Sequence, residues 1–262
     1  MNTFHQIMAG LNRPVHIYFV RHGESEGNTR GAMQGRRDSP LTEAGRQQAA
    51  ATADWFRKLG EPLAAVFSSP LARARETARI IAGANDGTGT AGEPEVLDGL
   101  LELETGIFTG LSFEEIRQRY PAEYAQFVVA SWEAVPGAER TSSLAARALA
   151  CWQSIVARAN SSEAPAIVAV THGGMLQWVL KSSFGAHPES PPPWMPLVRA
   201  SNCGIFQFDA RPIDGIDQAG TSVRWYYGQW SRMNCVPWES GSQPEAPREL
   251  FHTDHSQTDQ LR

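Results

Sequence analysis

The segment that decides the fold is Val15-His16-Ile17-Tyr18-Phe19-Val20, followed directly by Arg21-His22-Gly23-Glu24-Ser25. Its run of β-branched and aromatic residues is typical of a buried strand, and Gly23 permits a sharp exit of the chain. Ligands of open α/β sheets bind beyond the carboxyl ends of the strands, so we expect Arg21 and His22 to lie at a ligand site. An imidazole beside a guanidinium suits covalent phosphate chemistry.

The overall composition narrows the class of protein. At 262 residues, 42% of them hydrophobic and 19% charged, the chain has the composition of an ordinary globular protein. Its net charge of −5 gives no attraction to nucleic acid or anionic membranes, and we expect neither as a partner. No segment approaches the roughly 20 apolar residues of a membrane-spanning helix. Cys151, Cys203 and Cys235 show no close pair and no metal-ligand spacing, which predicts reduced, buried thiols and a cytoplasmic location.

Strand and helix signals alternate along the chain. Further buried strands are predicted at residues 63–67 and 166–170, late strands at 205–208 and 223–227, and helices at 42–59, 71–82, from 112 and from 173. Thr42 and Gly60 supply a cap and a terminator, Ser112 and Glu115 form a capping box, and Pro121 interrupts the helix that follows. The core stripe of another helix is Leu144, Ala148, Trp152, Ile155 and Ala159.

This alternation predicts a three-layer α/β/α sandwich with a mostly parallel central sheet. We expect residues 1–238 to form a single domain. Residues 239–262 are polar and lack apolar periodicity, so they are expected to form a mobile C-terminal tail. Glycine- and proline-rich stretches at 83–94 and 188–196 are expected to be surface loops.

Four segments of such a sheet could bring polar side chains together. They carry Arg21 with His22, Arg73 after Ser68-Ser69-Pro70, Glu102, and His172 before Gly173-Gly174. Each residue alone has an ordinary structural alternative: a solvated charge for Arg73, an exposed acidic loop for Glu102, a packing role for His172. Two basic strand ends that are each followed by glycine make a common site the better interpretation.

Phosphoryl transfer needs such a set of groups. The transferred group spreads negative charge over its equatorial oxygens, which two arginines, a second histidine and the N–H groups of Gly173 and Gly174 could surround. A neutral imidazole can attack phosphorus when its other nitrogen is held by a hydrogen bond. A carboxylic acid must protonate the departing oxygen, a role for Glu102. Glu104 is a geometric alternative, because residues two apart on an extended segment point the same way.

Together these motifs resemble the signature of the histidine phosphatase superfamily, which has the phosphoglycerate-mutase-like fold. The matching runs are Arg21-His22-Gly23-Glu24-Ser25 with Asn28, Gln34-Gly35-Arg36, Ser68-Ser69-Pro70-Leu71 with Arg73, Glu102 with Gly106 and Gly110, and Thr171-His172-Gly173-Gly174. The resemblance implies that His22 is the phosphorylated nucleophile and that Glu102 is the proton donor. It implies a phosphate pocket of Arg21, Arg73 and His172, with substrate contacts from Asn28, Gln34, Gly35 and Gly173.

The resemblance also implies a small phosphorylated substrate and neither a metal nor an organic cofactor. It leaves the oligomeric state open, a homodimer included. Mutases of this family usually carry tryptophan at the positions of Gly27 and Arg36, and arginine and tyrosine at those of Leu103 and Thr105. A phosphomonoester hydrolase is therefore favoured over a cofactor-dependent phosphoglycerate mutase. A phospho-ligand or protein-binding pseudoenzyme is a further alternative, disfavoured because nucleophile, acid and both arginines are all present.

The residues that select the substrate are less clearly marked. Leu103, Ile107 and Phe108 are expected to make the pocket mouth apolar, which favours a partly hydrophobic leaving group. The region around Trp132 and the loop with Trp194 are open between core packing and substrate contact. Glu139 lies in Pro136-Gly137-Ala138-Glu139-Arg140, which departs from the family's usual Pro-x-Gly-Glu-Ser, so its role is left open.

Overall fold

A single mixed sheet organises the chain. The computed structural model describes residues 2–83, 92–185 and 196–239. Within these residues six strands occur in the order β3-β2-β4-β1-β5-β6: β1 (Val15–Arg21), β2 (Leu63–Ser68), β3 (Glu95–Val96), β4 (Ala166–Thr171), β5 (Ile205–Ile216) and β6 (Ser222–Cys235). The pairs β1–β4, β2–β4 and β2–β3 are parallel, whereas β5 runs antiparallel to β1 and to β6. The predicted mostly parallel sheet is confirmed.

The helices of the described residues begin and end largely where their local signals indicate. They are α1 (Phe4–Ala9), α2 (Glu26–Thr29), α3 (Glu43–Leu59), α4 (Ala72–Gly83), α5 (Phe113–Arg119), α6 (Pro121–Ala130), α7 (Thr141–Asn160) and α8 (Gly173–Ser183). At α3 the Thr42 hydroxyl accepts the Gly45 N–H, and Gly60 ends the helix at a φ of 71°. Ser112 and Glu115 form the predicted capping box, and Pro121 separates α5 from α6.

Strand β1 shows how the three layers arise. Ile17 and Phe19 belong to a core shared with α1, α7 and α8, whereas Tyr18 and Val20 belong to a core shared with α3 and α4. Because successive side chains of a strand point to opposite faces, the sheet has helices on both sides. The stripe predicted for α7, namely Leu144, Ala148, Trp152, Ile155 and Ala159, lies in the first of these cores. The α/β/α sandwich is confirmed.

Other parts of the chain differ from the sequence-based expectations. Strands β5 and β6 extend well beyond the predicted 205–208 and 223–227, and α1 and β3 were not predicted. All three cysteines are free, but only Cys151 and Cys203 are buried. The predicted tail, apart from Glu239, and most of the two predicted surface loops lie outside the described residues. Across the described ranges, no helix combines the length and hydropathy needed to cross a membrane.

The register of the parallel strands places the two motif histidines side by side. Arg21 of β1 pairs with Thr171 of β4, and the His22 N–H donates to the Thr171 carbonyl at 2.9 Å. Ser68 of β2 pairs with Val170. The chain therefore leaves β1, β2 and β4 at one edge of the sheet, where His22, Ser69 and His172 follow the three strands.

Candidate active site

The His22 imidazole is held from both of its nitrogens. Nδ1 lies 2.7 Å from the Gly23 carbonyl oxygen, and the Nε of Arg73 lies 3.2 Å from Nε2. A carbonyl oxygen only accepts and a guanidinium only donates, so Nδ1 carries the hydrogen and Nε2 carries the lone pair. His22 is 2% exposed. This environment fixes the tautomer in which Nε2 can act as a nucleophile.

Both motif histidines are kept in their neutral form. Desolvation by burial, followed by the charges of Arg21 and Arg73, holds the pKa of His22 well below its usual value. Burial also lowers the pKa of His172, as do His22 and the same two arginines. The two rings lie 5.1 Å apart between centroids. At neutral pH both imidazoles are therefore free bases beside fixed positive charges.

The Arg73 guanidinium is a buried part of the site. The residue is 1% exposed, so the alternative of a solvated surface charge is wrong. Besides its bond to His22, it donates to the carbonyls of Arg37 at 2.8 Å and Gly35 at 3.1 Å. Gly35 has a φ of 52°, and a Cβ there would lie 2.7 Å from the Thr105 hydroxyl. Gly35 therefore supplies its backbone to hold the arginine.

Two buried N–H groups have no protein partner among the described residues. The Leu71 N–H donates to the Ser69 hydroxyl at 3.4 Å, and the same hydroxyl lies 2.7 Å from Nε2 of His172. We assign the hydroxyl as the donor of this second hydrogen bond, which places the hydrogen of His172 on Nδ1. This nitrogen and the Nε of Arg21 are both buried and unpaired, while the Arg21 Nη1 donates to the Ala200 carbonyl at 2.6 Å. Both N–H groups are available to anionic oxygens.

The Glu102 carboxylate caps helix α8. It accepts the N–H groups of Gly174 at 3.1 Å and Met175 at 3.0 Å, together with its neighbour Leu103 at 2.9 Å. The expectation that the Gly174 N–H would serve the phosphate is therefore wrong, since Glu102 uses it. Gly173 begins the same helix, and a Cβ there would lie 3.6 Å from the Nε of Arg21.

Charge effects distinguish Glu102 from Glu104. Desolvation lowers the pKa values of Arg21 and Arg73, and the Glu102 charge is the largest opposing influence on each. The Glu102 carboxylate therefore lies within electrostatic reach of both guanidinium groups. Glu104 instead accepts the Gly106 N–H at 3.3 Å and the Thr109 hydroxyl at 3.2 Å, inside its own turn.

Asn28 and Gln34 lie in the loops that follow His22. Oδ1 of Asn28 accepts the Ser25 N–H at 3.1 Å, and Oε1 of Gln34 accepts the Ser39 hydroxyl at 2.7 Å. Asn202, which sequence reasoning missed, donates from Nδ2 to the His22 carbonyl at 3.0 Å and to Oδ1 of Asn28 at 3.2 Å. The structure therefore ties the His22 backbone to Asn28 through a residue from the loop before β5.

A second missed group surrounds Glu139. Its carboxylate accepts from Arg147 at 2.8 and 2.7 Å and from Arg36 at 2.9 Å. Despite desolvation, which raises it, the pKa of Glu139 is lowered by the Arg147 hydrogen bonds and the charges of both arginines. Arg147 also donates to the Leu101 carbonyl at 2.8 Å, and Arg36 to the Glu102 carbonyl at 3.3 Å. This network holds the backbone around Glu102.

A cavity of about 420 Å³ adjoins the site at Gly173 and Gly174. Leu103 and Trp132 contribute to its wall, so Leu103 lies where an apolar pocket mouth was expected. The same expectation is wrong for Phe108, which is fully buried in a separate core cluster, and for Ile107, which packs against that cluster. Trp194 lies outside the described residues.

A metal centre is not formed by the part of the chain that the structure describes. No three histidine, cysteine, aspartate or glutamate side chains of residues 2–83, 92–185 and 196–239 are grouped so that they could hold a metal ion.

The chain is similar to proteins of one family. The sequence pattern of the histidine phosphatase superfamily (branch 1) matches residues 17–212. A metal-independent phosphoserine phosphatase of Arabidopsis thaliana is 35% identical over 165 residues, which cover 62% of this chain and 65% of that protein. A Salmonella paratyphi B protein named "Probable phosphoglycerate mutase GpmB" is 30% identical over 198 residues, which cover 74% of this chain and 85% of that protein. The solved structure of Bacillus stearothermophilus YhfR is 32% identical in sequence and has a TM-score of 0.58. The match covers 79% of this chain and 94% of the YhfR chain.

Proposed function

The chain belongs to the histidine phosphatase superfamily, and from that premise we propose that it hydrolyses small phosphomonoesters through a phosphohistidine at His22. The observation that carries the proposal is the fixed tautomer of His22, with Nδ1 at the Gly23 carbonyl and Nε2 beside Arg73. A neutral imidazole nitrogen among cations is suited to attack a phosphate ester, because the same cations attract the substrate's charge.

The proposed reaction has two steps. Nε2 of His22 attacks phosphorus, the bond to the leaving-group oxygen breaks, and protonated Glu102 donates its proton to that oxygen. Glu102 then removes a proton from water, the hydroxide attacks the phosphohistidine, and the nitrogen–phosphorus bond breaks. Inorganic phosphate is released, and both His22 and Glu102 return to their starting forms.

We propose that the phosphoryl oxygens are held by Arg21, Arg73, His172 and the Gly173 N–H. Support comes from the unpaired Nε of Arg21 and Nδ1 of His172, which are buried donors without a protein acceptor among the described residues. A helix N-terminus adds an N–H and a favourable dipole. Asn28 and Gln34 would supply further amide donors, because only their carbonyl oxygens are used by protein partners among the described residues.

We also propose that turnover needs no divalent metal, since two guanidinium groups supply the positive charge that a metal would bring to the phosphate. The name of the Arabidopsis relative supports this proposal. Activity is expected to survive excess EDTA. If EDTA abolished the activity and one divalent ion restored it, the proposal of metal independence would be contradicted.

We propose a cytoplasmic location. The free thiols of Cys151, Cys203 and Cys235 support a reducing compartment.

A phosphoglycerate mutase is the second candidate, because one relative carries that name. Leu103 and Thr105 weigh against it. Leu103 lines the cavity beside Glu102. The Thr105 hydroxyl forms a hydrogen bond with the Thr109 hydroxyl at 2.6 Å. Neither side chain offers a positive charge to the carboxylate of a phosphoglycerate.

Rapid-quench labelling tests the proposal. With radiolabelled p-nitrophenyl phosphate, the enzyme is expected to form an acid-labile, alkali-stable adduct within the first turnover. His22→Ala is expected to lose both the adduct and the activity. An enzyme that turns over without an adduct would contradict the mechanism, and an adduct without turnover would indicate a pseudoenzyme.

A further inference from the structure

The cavity of about 420 Å³ adjoins the proposed phosphate pocket. It is lined at one end by Gly173 and Gly174, the first two residues of α8. The same two glycines contact the surroundings of the proposed phosphate pocket, since Gly173 lies next to Arg21 and Gly174 donates to Glu102. The cavity therefore begins beside the proposed phosphate pocket.

The cavity wall is predominantly apolar. The apolar side chains that line it are Met33, Leu103, Phe113, Phe127, Trp132 and Trp178. Leu103 is 5%, Trp178 5% and Phe127 3% exposed, so that side of the wall is fixed by core packing. A cavity of about 420 Å³ holds roughly a dozen water molecules. Apolar walls bind such water weakly, which favours its displacement by an apolar group.

Two cationic side chains, Lys181 and Arg199, line this cavity. The Lys181 ammonium lies 4.9 Å from the Trp178 ring centroid, and the backbone of Lys181 lies about 12 Å along α8 from that of Gly173. Arg199 is exposed. Beside Glu102 the lining residue is Leu103. A carboxylate only a few bonds from the phosphate would thus meet an aliphatic side chain.

We infer that the preferred substrates are phosphomonoesters with a bulky, apolar leaving group rather than short anionic metabolites such as phosphoserine or phosphoglycerate. This inference rests on the proposed phosphatase function and adds the substrate class. The leaving group occupies the cavity between Leu103, Trp132 and Trp178, and its displacement of water from these walls contributes to kcat/KM.

A series of n-alkyl phosphates from ethyl to octyl tests the inference, since chain length changes apolar area with little change in leaving-group basicity. We expect kcat/KM to rise at least about tenfold from ethyl to hexyl phosphate, and hexyl phosphate to exceed phosphoserine and 3-phosphoglycerate by a similar factor. A flat series, or a preference for either acid, would overturn the inference while leaving the phosphatase function intact. Failure to hydrolyse any ester, p-nitrophenyl phosphate included, would instead remove the proposed function.

Matched variants locate the effect in the cavity. Phe113 lines it yet is 50% exposed, so Phe113→Gln removes apolar wall without opening the core. We expect this variant to lower the hexyl-to-ethyl ratio about threefold or more. The control is Val129→Gln on α6, since Val129 is 75% exposed and does not line the cavity; it is expected to leave the ratio unchanged. Equal effects of the two variants would overturn the assignment.

Leu103→Arg tests the catalytic end of the cavity. An added guanidinium beside Glu102 is expected to shift the ratio of 3-phosphoglycerate to hexyl phosphate at least about tenfold towards the acid. An unchanged ratio in the folded variant would show that the leaving group does not contact Leu103 and would overturn the inference.

Discussion

Strand β1 carries a buried histidine near each of its ends, and the two are opposite in character. At the amino end, His16 contacts Asp209 at 2.7 Å and Glu61 at 3.9 Å. At the carboxyl end, His22 receives a hydrogen bond from Arg73. Desolvation lowers the pKa at both positions, but at His16 the hydrogen bond to Asp209 and the two carboxylate charges outweigh it and raise the pKa.

The sign of the neighbouring charge, rather than burial, thus decides what a buried histidine does. The neighbouring carboxylates favour the cationic form of His16. His16 links β1 to β5 and to Glu61, which also accepts the Tyr18 hydroxyl at 2.7 Å. His22 among guanidinium groups remains a free base with a reactive lone pair. The amino end of β1 therefore stabilises the fold, whereas its carboxyl end provides the reactive nitrogen.

Exchanging each histidine for asparagine gives the largest expected contrast. His22→Asn should lower kcat by at least about 10⁴-fold, because the nucleophile is lost. His16→Asn should leave kcat of the folded enzyme unchanged and cost about 3 kcal/mol, since two buried carboxylates lose their cation. Urea denaturation and steady-state kinetics on both variants measure this, and a strong loss of kcat in folded His16→Asn would contradict the division between the two ends.

Variants of Glu102 and Glu104 test which carboxyl group is the general acid at the carboxyl end of β1. Glu102→Gln should slow alkyl phosphates by about 10² to 10⁴-fold and p-nitrophenyl phosphate far less, because p-nitrophenolate departs without a proton. Glu104→Gln is the matched control and should slow neither class, since its carboxylate is confined to its own turn. The reverse behaviour of the two variants would assign the acid to Glu104.

The network around Glu139 should have a smaller, indirect effect. Arg147→Lys loses the fork that joins Glu139 to the carbonyls before Glu102, so the acid is less well placed. We expect kcat for alkyl phosphates to fall about tenfold, with KM little changed and p-nitrophenyl phosphate much less affected. A purely structural role would lower thermal stability and leave the alkyl-to-aryl ratio unaltered.

The free energy of unfolding should change with pH in opposite directions for the histidines at the two ends of β1. His22 and His172 have lowered pKa values in the folded state, so their stabilising contribution is present above pH 6.5 and is lost as the pH falls below it. The raised pKa of His16 has the opposite sign: its contribution is present below pH 6.5 and is lost as the pH rises through the folded-state pKa. A folded-state pKa that differs by 1 from the unfolded-state pKa corresponds to about 1.4 kcal/mol of stability.

Urea titrations from pH 5 to pH 9 measure both limbs. His16→Gln should abolish the loss between pH 6.5 and about pH 8, below the range where the buried thiols of Cys151 and Cys203 contribute, and retain the loss on the acidic side. An alkaline limb that persists in His16→Gln would show that the ion pair with Asp209 does not govern stability there.

Local signals made much of the fold predictable. Thr42 and Gly60 bound α3 correctly because caps act through adjacent backbone groups. The outer halves of β5 and β6 could not be found this way. Asp214 pairs with Arg224 there, and exposure on both faces leaves no apolar alternation to detect. The helix α1, with six residues, is too short to show a helical period.

The candidate site was predictable where its residues follow strands and unpredictable where it depends on distant partners. Arg21, His22 and His172 come directly after, or at the end of, apolar runs, so their common location follows from the parallel sheet. The Glu102 carboxylate caps α8 by accepting the N–H groups of Gly174 and Met175, which follow it in the sequence by 72 and 73 positions. The bond from Asn202 to the His22 carbonyl spans 180 positions. No local pattern encodes such contacts.

The pairing of β1 with β4 also bears on how the enzyme is made. His22 and His172 are separated by about 150 residues, and only the register of Arg21 with Thr171 brings them together. A slip of one residue would turn every side chain of β1 to the wrong face. Helices form within microseconds, whereas long-range parallel pairing is slow. A refolding chain should therefore recover its helical signal before its turnover, and catalytic activity reports the completion of folding rather than its onset.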